Sequence, residues 1–174
     1  MIPPGRCRDL LGLPSTGRPL VLVAIGGLRA GAWPDLAVDP TIEADFLVVG
    51  KLPIRFPSRR ARFLPEALPA GIGFADLVAA ADAVLAKPGY GMCSECAANG
   101  TPMVSIERVG FAEYGAIKAG IVRYVPFREM PLADFFAGRG REQIEAVLGA
   151  GRRPPPGEDG AGPAAAEIGR AFGW

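Results

Sequence analysis

Histidine is absent from this 174-residue chain. That excludes Ser-His-Asp and Cys-His nucleophile systems, histidine general bases and imidazole-ligated zinc. Cysteine is scarce: Cys7, Cys93 and Cys96 are an odd number, too few for a disulfide framework. Neither sign of charge is in surplus. Lys and Arg number 19 against 18 Asp and Glu, a formal net charge of +1, so no electrostatic footprint for nucleic acid or an anionic membrane is present. No apolar run approaches the roughly 18 residues that a membrane helix needs. The opening Met1-Ile2-Pro3-Pro4-Gly5-Arg6 lacks the apolar core of a signal peptide, so a cytoplasmic location is expected. Chemistry here falls to carboxylates, lysines, hydroxyls and backbone amides.

What is present is an ordinary globular composition, 49% hydrophobic and 21% charged, with 24 Gly and 18 Pro to make many tight turns. The length suits one domain. Apolar runs of four to six residues recur at 20–25, 46–49, 61–64, 83–86, 103–106 and 121–125. Runs of this kind read as parallel strands buried on both faces. Helical patterns lie between the later ones, at 74–81, 92–99 and 111–119, with two short helices near 132–137 and 141–148. Strand alternating with helix predicts an α/β, Rossmann-like, doubly wound and mostly parallel six-stranded sheet.

The whole of 1–174 reads as a single domain, with a core at 19–149, a flexible Pro/Gly-rich linker at 150–163 and a terminal helix at 164–173 that packs back on the core. Segments 26–44 and 51–60 hold Gly31, Pro34, Pro53 and Pro57 and do not read as full crossover helices. One sheet face is therefore expected to be thinly covered there, a candidate docking surface.

The most informative stretch is Ala83 to Glu95, in which a buried run passes through Lys87-Pro88-Gly89-Tyr90-Gly91 into a helix. Free N–H groups and the positive dipole end at a helix start form an anion site. Gly89 and Gly91 would let a phosphate approach the main chain, and Lys87 adds a cation; the same pattern also fits a plain strand–helix turn. Gly89-x-Gly91-x-x-Ser94 with Glu107 also has the outline of a dinucleotide fingerprint. Against that, the third glycine is missing and the loop follows the fourth run rather than the first.

Cys93-Ser94-Glu95-Cys96 admits redox chemistry or a metal site. A structural zinc needs four ligands, however, and two cysteines three apart on a helix more simply pack against a sheet. Gly26-Gly27 closes the first run, and in a doubly wound order strands one and four are neighbours. Gly26-Gly27 and Gly89–Gly91 would then flank one crevice, the topological switch point. Glu113 opens the helix after the fifth run, where an acid either complements the helix dipole or meets ligand hydroxyls.

Taken together, Ala81-Asp82-Ala83-Val84, Lys87-Pro88-Gly89-Tyr90-Gly91-x-x-Ser94-Glu95, Asn99-Gly100-Thr101-Pro102-Met103, Arg108 and Phe111-Ala112-Glu113-Tyr114 resemble the carboxyl-terminal half of GT-B glycosyltransferases. The likeness is to the group that contains the lipid II N-acetylglucosaminyltransferase and the glycosyltransferase-like half of arabinokinases. It implies a half that binds a nucleotide-sugar donor, commonly a UDP-sugar, without a cofactor or metal ion.

By that resemblance Glu95 holds the ribose hydroxyls, and the amides of Gly91, Met92 and Cys93 meet the pyrophosphate with those of Gly26 and Gly27. Glu113 meets sugar hydroxyls, and Lys87 or Arg108 aids the leaving diphosphate. Met92 stands where relatives often carry Thr, which removes one hydroxyl contact to phosphate. Only 19 residues precede the first run, so the acceptor-binding half of that family is missing here: turnover would need a separate acceptor domain, and either a separately encoded partner subunit supplies it or the chain is a truncation. Apolar surface left bare without that half could drive homodimerisation. The rival expectation is a non-catalytic interaction module that keeps the fold.

Overall fold

The computed structural model describes residues 2–13, 16–25, 36–37, 39, 41–50, 54–55, 60–64, 68–157 and 160–173. Six strands form one sheet: β1 (Leu20–Ala24), β3 (Asp45–Val49), β5 (Ala61–Leu64), β6 (Ala83–Ala86), β7 (Met103–Ile106) and β8 (Phe127–Met130). Their order is β5-β3-β1-β6-β7-β8, and every pairing is parallel. This is the Rossmann-like α/β sheet expected. Two further strands, β2 (Leu36–Ala37) and β4 (Ile54–Arg55), pair in parallel as a separate ladder.

The central strands β1, β6 and β7 are buried along their whole length. Alternate residues feed two cores. Leu20, Leu22, Val84 and Met103 face helices α1 (Pro4–Leu10), α2 (Phe74–Ala80), α3 (Tyr90–Asn99) and α4 (Tyr114–Ile121), which supply Cys7, Leu77, Cys96 and Ile117. Val21, Val23, Leu85 and Val104 face α5 (Leu132–Phe136) and α6 (Arg141–Ala150), which supply Phe135, Ile144 and Val147. Helices on both faces explain why these strands read as unbroken apolar runs.

Two expectations are corrected, and one helix is added to the pattern. The run 121–125 is not a strand: Ile121 ends α4, Val125 is buried in the turn beyond, and β8 takes the sheet edge. An edge strand has less to bury, and only Phe127 and Met130 of β8 are covered. Helix α1, which had no counterpart in the pattern, starts on Pro4 and buries Cys7 alone. The terminal helix α7 (Ala161–Phe172) buries none of its residues, and Ile168 and Phe172 stand exposed. The reading of a thinly covered face rests on 26–44 and 51–60, most of which lie outside the described residues.

The front of segment 150–163 is held firmly. Arg152 donates to the carbonyls of Ala79, Ala81 and Asn99 and to Thr101 Oγ1, at 2.5–2.9 Å. Arg153 donates from its amide to Gly100 O and from Nη1 to Val122 O. Two cations thus cap the carboxyl ends of α2, α3 and α4, the negative ends of their dipoles. Burial of the Arg152 guanidinium lowers its pKa, with Asp82 opposing.

Candidate functional site

Strands β1 and β6 lie side by side at the centre of the sheet, Ala24 opposite Ala86, and the strand order reverses between them. Ligands of open α/β sheets bind at that point, beyond the carboxyl ends of the strands. A cavity of about 330 Å³ opens there. Its wall is built by Ala24 at the end of β1, Gly50 after β3, and Lys87, Gly89, Gly91 and Met92 between β6 and α3.

Helix α3 starts directly on this cavity. Gly89 is its N-cap, and no side chain caps it. Cys93 N–H already donates to Gly89 O at 2.9 Å. The amides left open at the helix start are therefore those of Tyr90, Gly91 and Met92, and Cys93 drops out of the expected set. Neither glycine is required by the fold. Gly89 has extended backbone at φ −158, which any residue adopts, and a Cβ on Gly89 or Gly91 would meet nothing within 4 Å. What the two glycines leave is bare main chain facing a cavity.

Two cations stand at the same edge. Lys87 follows β6, and its pKa is lowered by burial and then by Arg108. Arg108 follows β7 and lies over the Phe111 ring, its Cζ 3.7 Å from the ring centroid. Neither forms an ion pair with a carboxylate among the described residues. Two uncompensated positive charges beside uncapped amides favour an anion.

The remaining predicted residues fall around this centre. Glu95 is half-buried on α3, one turn beyond Gly91 on the same helix face. Its carboxylate makes no hydrogen bond among the described residues; only its carbonyl is engaged, by Asn99 Nδ2. Glu113 is the exposed N-cap of α4. Neither Glu95, Arg108 nor Glu113 lines the cavity wall itself. Gly26 and Gly27 lie outside the described residues. Ala24, Gly50 and Phe74 belong to the wall and carry no motif; their common signal is position, at strand ends or the first turn of a helix along the same sheet edge.

The cysteines are core residues. Cys7 and Cys96 are fully buried and Cys93 nearly so. Burial raises all three thiols, Cys96 to about 12, which leaves no reactive thiolate at neutral pH. Among the described residues no group of three or more His, Cys, Asp or Glu is placed to hold a metal ion, and no helix is long and apolar enough to cross a membrane.

No family model and no curated protein matches this chain. Solved structures do. The glycosyltransferase SnogD from Streptomyces nogalater is 19% identical over 79% of this chain and 37% of its own, with a TM-score of 0.49. The glycotransferase of kitacinnamycin is 15% identical over 78% of this chain and 36% of its own, with a TM-score of 0.53. At 15% identity the likeness to the kitacinnamycin glycotransferase is one of fold, with the sheet architecture of part of that enzyme. The chain spans little more than a third of either enzyme's length.

Proposed function

We propose that the chain is the donor-binding half of a glycosyltransferase, taking a nucleotide-sugar, of which a UDP-sugar is the first to test. The observation that carries this reading is the start of α3: three uncapped amides, two glycines that neither backbone nor packing demands, and the cations Lys87 and Arg108 beside them at the switch point. A diphosphate matches that combination in charge and in its need for close main-chain approach.

In this reading the amides of Gly91 and Met92, with Lys87 and Arg108, stabilise the negative charge that grows on the departing diphosphate, and no metal is needed. Glu95 accepts from the ribose hydroxyls and Glu113 from the sugar. The residue pattern favours the group of the lipid II N-acetylglucosaminyltransferase and the glycosyltransferase-like half of arabinokinases. A separate acceptor-binding domain or subunit completes turnover.

The test is calorimetric titration with UDP, with ADP and GDP as controls. Selective binding of one nucleotide, lost in Gly91→Ala while the fold is kept, supports the reading. Binding of none overturns it and leaves an interaction module with a glycosyltransferase fold.

A further inference from the structure

A polar latch joins α4 to the sheet edge next to the proposed donor crevice. Glu129, on β8, accepts from Tyr114 Oη on one carboxylate oxygen and from Lys118 Nζ on the other. Tyr114 and Lys118 are four apart on α4, so a single strand residue grips the first turn of the helix from two points. Ser105 is the register partner of Glu129 on β7 and is fully buried. Its hydroxyl is near enough to the phenol to lower the Tyr114 pKa against the other influences. Burial, followed by the bond to Glu129, raises the Tyr114 pKa, and Glu107 adds to the rise.

This latch is poorly explained as a stabilising device. Lys118 is 44% exposed and Glu129 32%, and exposed ion pairs contribute little to stability. What it does fix is a direction. Glu113 is the N-cap immediately before Tyr114, and Tyr114 N donates to Phe111 O at 3.0 Å. Phe111 in turn lies under Arg108. The loop between β7 and α4 is thus held at one end by Arg108 on Phe111 and at the other by Glu129 on Tyr114, with Glu113 between them.

We infer that Glu129, acting through Tyr114 and Lys118, is a positioning residue that holds Glu113 toward the sugar portion of the donor and leaves the nucleotide portion untouched. The inference rests on the donor reading above and assigns the sugar end of that site a support of its own. Losing one such hydrogen bond loosens a carboxylate rather than removing it, so the effect belongs in selectivity for the sugar, not in affinity for the nucleotide.

The experiment measures the Kd for UDP and for UDP-glucose, UDP-galactose and UDP-N-acetylglucosamine in the wild type, Tyr114→Phe, Lys118→Met, Glu129→Ala and Glu129→Gln. Melting temperature is recorded for each. In Tyr114→Phe and Glu129→Ala, the advantage of the preferred UDP-sugar over UDP is expected to fall about fivefold, the worth of roughly one hydrogen bond, with the Kd for UDP little changed. Lys118→Met should show a smaller drop, and Glu129→Gln, which still accepts hydrogen bonds, should retain most of the advantage. An unchanged advantage in folded Tyr114→Phe overturns the inference and leaves the donor reading standing, as does a wild type that binds UDP but gains nothing from any sugar. A wild type that binds no nucleotide overturns both.

Discussion

The carbonyl oxygen of Arg153 lies 1.8 Å from where a Cβ on Gly100 would stand, so the strap after α6 and the end of α3 fit only because residue 100 has no side chain. Gly100 also sits at φ +62, in the left-handed region. Gly100→Ala is expected to lower stability by about 2–4 kcal/mol, combining left-handed strain with a clash against backbone. Urea denaturation monitored by circular dichroism measures it. A loss below about 1 kcal/mol would mean that the strap lifts away freely.

Gly91→Ala should separate packing from binding. Open space surrounds the position, so alanine inside α3 adds about 0.5–1 kcal/mol of helix stability. The same methyl covers main chain at the cavity wall, so UDP affinity should fall at least tenfold by titration calorimetry, about 1.4 kcal/mol. Equal affinity in the two proteins would move the phosphate site elsewhere.

Glu95→Ala should leave the melting temperature within about 2 °C, because the carboxylate makes no hydrogen bond to the described fold. Its UDP affinity should drop several-fold. A variant that unfolds instead would make Glu95 a structural residue.

Glu129 predicts an acid response. The hydrogen bonds from Lys118 and then Tyr114 hold its carboxyl below the ordinary 4.5. A carboxylate depressed in the folded state adds stability that is complete above its ordinary value and is lost as pH falls through that value toward the folded one. The melting temperature of the wild type should therefore fall more steeply below pH 4.5 than that of Glu129→Gln, with the two curves parallel at neutral pH. Parallel curves throughout would show that the Glu129 contacts add no pH-dependent stability.

The thiols should be slow. With all three cysteines buried and Cys96 raised to about 12, a disulfide-exchange reagent at pH 8 should label the folded chain far more slowly than the urea-unfolded chain. Rapid labelling of Cys93 would restore a redox reading.

The central sheet was legible because its strands are covered on both faces, and the result is an unbroken apolar run such as Leu20 to Ala24. The edge strand was not, because Arg128 is exposed and Glu129 only half-buried, interrupting the apolar signal. The neighbouring Ile121, Val122 and Val125 mimicked a strand while ending a helix. Helix α1 is seven residues long with one buried side chain, too little for a periodic pattern. At the site, Lys87, Gly89 and Gly91 could be placed because strand-end glycines announce a turn into a helix. Gly50 and Ala24 could not, since position in the sheet rather than residue chemistry puts them on the cavity wall. The Glu129 latch was equally hidden. Its members are 15 and 11 residues apart in sequence and meet only through the β7–β8 register.

The strand order has a kinetic side. The two middle strands, β1 and β6, are residues 20–24 and 83–86, and every pairing in the six-stranded sheet is parallel. No hairpin can start this sheet: even its shortest pairing, β3 with β5, must close a loop across residues 50–60, and the central pairing of β1 with β6 must close one across residues 25–82. Refolding should accordingly be slow for a domain of this size, with apolar strand edges open to wrong partners until β6 arrives beside β1. In a growing polypeptide the centre of the sheet cannot assemble until residue 86 has left the ribosome; β1, β3 and β5 are all made before then, and β1 waits with its inner edge unpaired until β6 follows.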